Sequence, residues 1–218
     1  MNMKKCKLYL LMFFGPLVTL TFLGQLALSH MSDLGPDDAK KFTSQLKLNL
    51  GEIEKFGVVH FLTPQCSCSQ VISDHLLERG RFKKDVANAF VVIVDDLEGE
   101  PWTKKFKERG FPVIQVRTDG DKESEMKDSL KGVPMLMIVD AFEKVRYLGG
   151  YSDNSITPFS KIDIADFLHR AESSDRTLAS KPVIGCAVGQ KYQALLDPLG
   201  LKYNRKGSLN GSSETTTQ

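Results

Sequence analysis

Short apolar runs, separated by polar and amphipathic stretches, give the chain its main pattern after residue 56. The runs are rich in β-branched and aromatic residues and are short, so each predicts a buried β-strand. Apolar residues at helical spacing between them predict α-helices on the faces of a sheet. The predicted strands cover residues 58–62, 89–94, 111–116, 135–140 and 145–148, and the predicted helices cover 36–56, 67–80, 101–109, 121–130 and 158–171. This alternation predicts an α/β domain with a central mixed, mostly parallel sheet, whose fifth strand returns antiparallel to the fourth.

A second pattern lies at the N-terminus, where residues 8–28 carry no charge and follow Lys4, Lys5 and Lys7. As a helix this run would extend about 31 Å, which matches the hydrocarbon core of a membrane. The lysines predict that residues 1–7 stay in the cytoplasm and that the rest is exported. The run is longer than the core of a usual signal peptide, which predicts a single-pass signal anchor. We therefore expect a bacterial inner-membrane protein with its soluble domain in the periplasm; a signal peptide cleaved near residue 28 is the alternative.

The remaining boundaries follow from changes in composition along the chain. Residues 29–35 are a predicted linker, and residues 36–171 are the predicted α/β domain. Residues 172–203 form a C-terminal extension with some apolar content. Residues 204–218 are rich in Ser, Thr and Gly, and their composition predicts a disordered tail.

Charge and cysteine content narrow the possible functions. The net charge of the 218 residues is only +2, with no long basic run beyond the N-terminus, so nucleic-acid binding has little support. Four cysteines are too few for a disulfide scaffold. Cys66, Cys68 and Cys186 follow the apolar run, so export would place them where disulfides persist.

Two of these cysteines occupy the junction between a predicted strand and a predicted helix. Pro64 ends the strand, and Ser67 and Ser69 are predicted to cap the helix that follows. A thiol at this junction faces the positive end of the helix dipole, which favours the reactive thiolate. Cys66 and Cys68 are therefore placed where cysteine chemistry is favoured.

The order of elements resembles the thioredoxin superfamily, and the added helix and strand before Val133 resemble its membrane-tethered TlpA/ResA-type branch. VVHFLTPQCSCSQVI and GVPMLMIVD, the latter followed by AFEKVRYLGG, carry the resemblance, which covers residues 56–171. It implies a thioredoxin-like fold with a cis proline at Pro134 facing the cysteine pair. The pair departs from the family's usual Cys-x-x-Cys pattern, since Cys68 lies one residue earlier than the expected resolving cysteine. His60 stands where the family often buries an acidic residue.

The resemblance implies a thiol–disulfide oxidoreductase without cofactor or metal, acting on exported thiol or disulfide proteins together with a membrane redox partner. Cys66 would attack a substrate disulfide, and Cys68 would resolve the mixed disulfide. The Cys-x-Cys ring is one residue smaller than the usual ring, and the strain favours oxidase or isomerase activity over reductase activity. His60 would take or return a proton. The backbone at Val133 and Pro134 would bind the substrate as an added strand.

Other interpretations remain open for the same residues. Cys66 and Cys68 could form a purely structural disulfide, and His60 could be a hydrogen-bonded core histidine. Cys186 is either a third redox partner or a buried thiol without a role. Soft thiolates also suit Cu(I), so a copper-binding module with His60 or Cys186 as a further ligand is an alternative function. A non-catalytic thioredoxin-like interaction domain is another.

Overall fold

The computed structural model describes residues 14–21, 31–32, 39, 44, 50, 53–83, 85–94, 101–116, 130–174, 176–188 and 193. The strands are β1 Met31–Ser32, β2 Phe56–Leu62, β3 Asn88–Val94, β4 Val113–Val116, β5 Gly132–Val133, β6 Met135–Asp140, β7 Val145–Gly149, β8 Val183–Ile184 and β9 Cys186–Ala187. The helices with defined bounds are α1 Ser67–Arg79, α2 Pro101–Glu108 and α3 Ile164–Ser173.

A five-stranded mixed sheet, in the order β4-β3-β2-β6-β7, forms the centre of the fold. β2, β3 and β4 are parallel, whereas β6 is antiparallel to β2 and β7 is antiparallel to β6. The antiparallel return of the fifth strand is confirmed. The sheet has fewer parallel strand pairs than predicted. The start of β6 lies beside the end of β2, with Met135 paired to Phe61, so these two strands run in opposite directions. This strand order and these directions give the thioredoxin-like fold that the resemblance implied.

Apolar residues fill both faces of the sheet, as side chains alternate along each strand. On β2, Val58 and Leu62 belong to one core cluster and Val59 and Phe61 to the other. Side chains of α1, α2 and α3 complete the first cluster: Ile72, Leu76, Phe106, Ile164, Phe167, Leu168 and Ala171. The second cluster is completed by residues from outside the five strands: Leu50, Leu130, Val133, Val183 and Val188. Burial of each large apolar side chain contributes about 1.5–3 kcal/mol to folding.

Helix α3 is shorter than the predicted helix over residues 158–171. It begins after Asp163, whose carboxylate accepts a hydrogen bond from the Asp166 N–H at 3.0 Å. An aspartate in this position satisfies an N–H that the first turn of a helix leaves unpaired. The preceding residues instead form a turn, in which the Ser160 N–H donates to the Thr157 carbonyl at 2.9 Å.

Several sequence predictions fall on residues that lie outside the described ranges. They are the cytoplasmic segment 1–7, most of the anchor 8–28, most of the helices over 36–56 and 121–130, and the tail 204–218. Within the anchor, residues 14–21 are helical and exposed. In the parts of the chain that are described, no helix combines the length and apolar character needed to cross a membrane.

After α3 the chain runs back along the outer edge of β7, in a segment (residues 177–188) that we call the C-terminal strap. The Leu178 N–H donates to the Arg146 carbonyl at 2.7 Å, and the Gly150 N–H donates to the Lys181 carbonyl at 2.9 Å. A side chain at Gly150 would place its Cβ 2.0 Å from the Pro182 carbonyl oxygen, so only glycine fits there. The strap then pairs antiparallel with β1 through β8, and with β5 through β9.

Candidate functional site

The site is built around Cys66, which is the N-cap residue of α1. The Cys66 N–H donates to the Thr63 carbonyl at 3.2 Å, and the Cys66 carbonyl accepts from the Gln70 N–H at 3.0 Å. The prediction that Ser69 caps α1 is wrong, because its hydroxyl accepts from the Thr63 N–H, at 3.3 Å, and so stabilises the preceding turn. Ser67 is the first residue of the helix and not its cap. Cys66 is fully buried at the positive end of the helix dipole.

The loop between β5 and β6 faces Cys66. The Val133–Pro134 peptide bond is cis, as the resemblance implied. The Cys66 sulfur lies 3.7 Å from the Val133 carbonyl oxygen, although the two residues are 67 positions apart in the chain. The structure therefore brings together the cysteine turn and the proline loop, which the sequence could connect only through the resemblance.

Cys68 lies in the first turn of α1 and is partly exposed. Its sulfur is 3.7 Å from the Ile156 carbonyl oxygen, in the loop that precedes α3. Cys68 is thus the more accessible of the two predicted redox thiols. None of the described cysteines, Cys66, Cys68 and Cys186, is in a disulfide.

The pKa values of the two cysteines of the turn move in opposite directions. Hydrogen bonding from the Cys186 thiol, followed by that from the Cys68 thiol, lowers the pKa of Cys66 far below the usual thiol range, in spite of burial. Ser69 also donates hydrogen bonds to the Cys66 sulfur. The same hydrogen bond to Cys66, together with burial and the negative charge of Cys66, raises the pKa of Cys68. These contacts favour the thiolate form at Cys66 and the protonated form at Cys68.

His60 lies on β2, fully buried. Its Nδ1 is 2.8 Å from the Tyr151 hydroxyl, and the two rings are stacked. Burial first, and then the charges of Arg79 and His75, lower the pKa of His60 to about 3. The imidazole is thus neutral at physiological pH and a poor proton acceptor there. Its proton-transfer role stays a prediction, and this environment gives that role no support.

Cys186 is a third cysteine of the site, for which the sequence supported no firm role. It lies on β9 directly opposite Val133 in the β5–β9 pair. Its thiol is the leading hydrogen-bond donor to the Cys66 sulfur. The sequence around it, VIGCAV, is apolar and contains a glycine next to the cysteine, which was the available sign of a packed strand with close backbone contacts.

Among the described residues, no group of three or more His, Cys, Asp or Glu side chains is arranged to hold a metal ion.

A thioredoxin-like sheet, a buried cysteine at a helix N-terminus and a cis proline opposite it define a thioredoxin-like domain with a site of three cysteines. Within that class, the chain belongs to the family described as a domain of unknown function, DUF6436, whose model matches residues 37–187. The matched region contains Cys66, Cys68, Pro134 and Cys186.

The solved structures that are similar to the chain at low identity include the following three. A hypothetical protein from Sinorhizobium meliloti is 18% identical over 63% of this chain and 80% of its own, with a TM-score of 0.43. An uncharacterized conserved protein from Geobacillus kaustophilus is 18% identical over 63% and 78%, with a TM-score of 0.41. The thioredoxin domain of a thiol-disulfide oxidoreductase from Bacteroides vulgatus is 23% identical over 43% and 68%, with a TM-score of 0.32. No curated protein shows significant similarity.

Proposed function

We propose that this protein is a thiol–disulfide oxidoreductase in which Cys66 is the nucleophile. One observation carries the proposal: the Cys66 sulfur lies at the N-terminus of α1, 3.7 Å from the Val133 carbonyl oxygen beside the cis proline, and Cys68 follows in the first turn of the same helix. A thiolate is the form that attacks disulfides, and a neighbouring thiol is what completes the exchange. A purely structural pair has no need of a position at a helix N-terminus, where the helix dipole favours the thiolate.

The exchange has two steps. The Cys66 thiolate attacks one sulfur of a substrate disulfide, so a Cys66–substrate bond forms, the substrate S–S bond breaks, and the second substrate sulfur leaves as a thiolate that takes a proton from water. Cys68 then loses its proton and attacks the Cys66 sulfur, which releases the first substrate sulfur. The products are a Cys66–Cys68 disulfide and two substrate thiols. The reverse sequence oxidises a substrate dithiol.

The opposite pKa shifts of the two cysteines favour this order of events. Cys68 is held protonated mainly by its hydrogen bond to Cys66, with burial and the charge of Cys66 as further causes. Once Cys66 is in a mixed disulfide, it carries no charge and is a weak hydrogen-bond acceptor. The pKa of Cys68 then falls, and its thiolate becomes available for the second step.

The substrates and location in the proposal follow from the sequence. The uncharged run over residues 8–28 favours an anchor in the bacterial inner membrane, with the domain in the periplasm, as in the TlpA/ResA-type branch. Exported thiol or disulfide proteins and a membrane redox partner are the proposed partners. The strained Cys-x-Cys ring favours oxidase or isomerase activity, and the backbone at Val133 and Pro134 is the proposed docking edge for the substrate chain.

Trapping of the mixed disulfide tests the proposal. The Cys68→Ser/Cys186→Ser double variant of the full chain, held in detergent, keeps Cys66 but lacks both neighbouring thiols. With a peptide that contains one disulfide, we expect this variant to accumulate a stable Cys66–peptide adduct, measured by mass spectrometry of the digested protein. The matched Cys66→Ser variant should form none at this site. If no adduct forms at Cys66 in the double variant, the oxidoreductase proposal is wrong, and a non-catalytic interaction domain becomes the better interpretation.

A further inference from the structure

The position proposed for a substrate strand is already occupied by the chain itself. β9 pairs antiparallel with β5, with Ala187 opposite Gly132 and Cys186 opposite Val133. The Val188 N–H extends the contact by donating to the Lys131 carbonyl at 3.3 Å. The strap thus lies as an added strand at the cis-proline loop, next to Cys66.

A glycine makes this close approach possible. A Cβ at Gly185 would lie 2.0 Å from the Val133 carbonyl oxygen and 2.8 Å from the Pro134 ring. Real Cβ atoms do not come so close to backbone atoms, so any other residue at 185 would push the strap away from the loop. The backbone of the strap is therefore fitted to the cis-proline loop at the point where a bound peptide would lie.

The register of this pairing places the third thiol at the nucleophile. Val133 is opposite Cys186 in the ladder, and its carbonyl oxygen is 3.7 Å from the Cys66 sulfur. The thiol of Cys186 is within hydrogen-bonding reach of Cys66. A disulfide needs the two sulfurs to approach to about 2.05 Å, so its formation would draw these two neighbouring side chains together. Cys186 therefore occupies the place that the sulfur of a docked substrate would take.

We infer that Cys186 is a third redox residue, carried on a built-in substrate-like strand, and that it forms an intramolecular disulfide with Cys66. The inference rests on the proposed function, since it uses the same nucleophile. When Cys66 holds a mixed disulfide with an external thiol, the Cys186 thiol loses its proton and attacks the Cys66 sulfur. A Cys66–Cys186 bond forms, the mixed S–S bond breaks, and the external sulfur leaves as a thiolate that is then protonated.

The same geometry makes the strap a barrier to external substrates. Cys66 is fully buried, so a docking peptide reaches it only after β9 leaves β5. In the strap, β8 pairs with β1, which lies just after the predicted membrane anchor. Release of the strap would therefore also affect the strand pairing of the segment nearest the membrane. The strap therefore competes with substrates for the docking edge at Val133.

Disulfide mapping in the absence of the competing thiol tests the inference. The full-length Cys68→Ser variant, in detergent, is treated with oxidised glutathione, quenched with acid, alkylated and digested for mass spectrometry. We expect a Cys66–Cys186 disulfide. The matched Cys68→Ser/Cys186→Ser variant keeps a hydroxyl donor at 186 but cannot form this bond. It should retain glutathione on Cys66, and glutathione should leave Cys66 at least about tenfold more slowly than in Cys68→Ser, because a held thiol has a high effective concentration.

The outcomes separate the two proposals. If the Cys68→Ser variant keeps glutathione on Cys66 while Cys186 stays a thiol, the role of Cys186 is overturned and Cys66 remains the nucleophile. If Cys66 takes up no glutathione in either variant, the proposed function itself is overturned.

Discussion

Replacement of Cys66 by serine should abolish disulfide exchange, with a loss of roughly 1,000-fold or more, because an alkoxide is not available at neutral pH and the nucleophile has no substitute. Cys68 cannot take over, because it lies inside the first turn of α1 and not at its N-cap, and its sulfur contacts the Ile156 carbonyl oxygen and not the Val133 carbonyl of the cis-proline loop. The measurement is the initial rate at which the full chain, supplied with reduced glutathione, reduces a disulfide-containing peptide.

Cys6→Ser is the matched control for this experiment. Cys6 precedes the apolar run, so the prediction places it on the other side of the membrane from the site. The Cys6→Ser variant should keep the full rate of exchange. A Cys66→Ser variant that retains more than about a tenth of the wild-type rate would contradict the role of Cys66 as the main nucleophile.

The second large effect concerns the stability of the fold in acid. In the folded protein burial lowers the pKa of His60 to about 3, whereas the unfolded chain has the ordinary value of 6.5. Between these two values the unfolded chain binds a proton that the folded protein does not, so stability is lost as the pH falls below 6.5 and is fully present above it. For His60 alone, lowering the pH from 7 to 5 should cost about 2 kcal/mol.

Urea unfolding of the wild type and of His60→Gln at pH 7 and pH 5 checks this effect. The glutamine variant should be less stable at pH 7, because it disturbs the contact with Tyr151, but it should lose about 2 kcal/mol less than the wild type on acidification. His169→Gln, at an exposed position on α3, is the control and should lose as much as the wild type. An equal loss in wild type and His60→Gln would show that His60 is not held neutral by burial.

The central strands could be predicted from the sequence because short apolar runs rich in β-branched residues are typical of buried strands. The predicted strand VVHFL forms most of β2, which begins slightly earlier, at Phe56. The predicted strand MLMIVD forms β6 with the bounds that were predicted. The ends of helices were harder to predict, since they depend on single side chains. Asp163 shortens α3, and Cys66 takes the cap position that the serines of the turn were expected to take.

The strap was not predictable from periodicity. Its strands β8 and β9 are two residues each, so neither can show an alternating pattern. Their positions depend on contacts between backbone atoms far apart in the chain, such as Gly185 against Val133. For the same reason the sequence placed Cys66 and Cys68 at the site but left Cys186 without a committed role. The local sign was Gly185, a glycine next to the cysteine in an apolar stretch.

The most direct measurement of the central claim is a redox titration of the wild-type chain at pH 7, in detergent, across ratios of reduced to oxidised glutathione. Each sample is quenched in acid, alkylated and mapped at Cys66. We predict that Cys66 passes from thiol to an intramolecular disulfide at a defined ratio, with Cys68 or Cys186 as its partner. A Cys66 that remains a thiol at every ratio would contradict the claim that this thiolate is the redox centre of the protein.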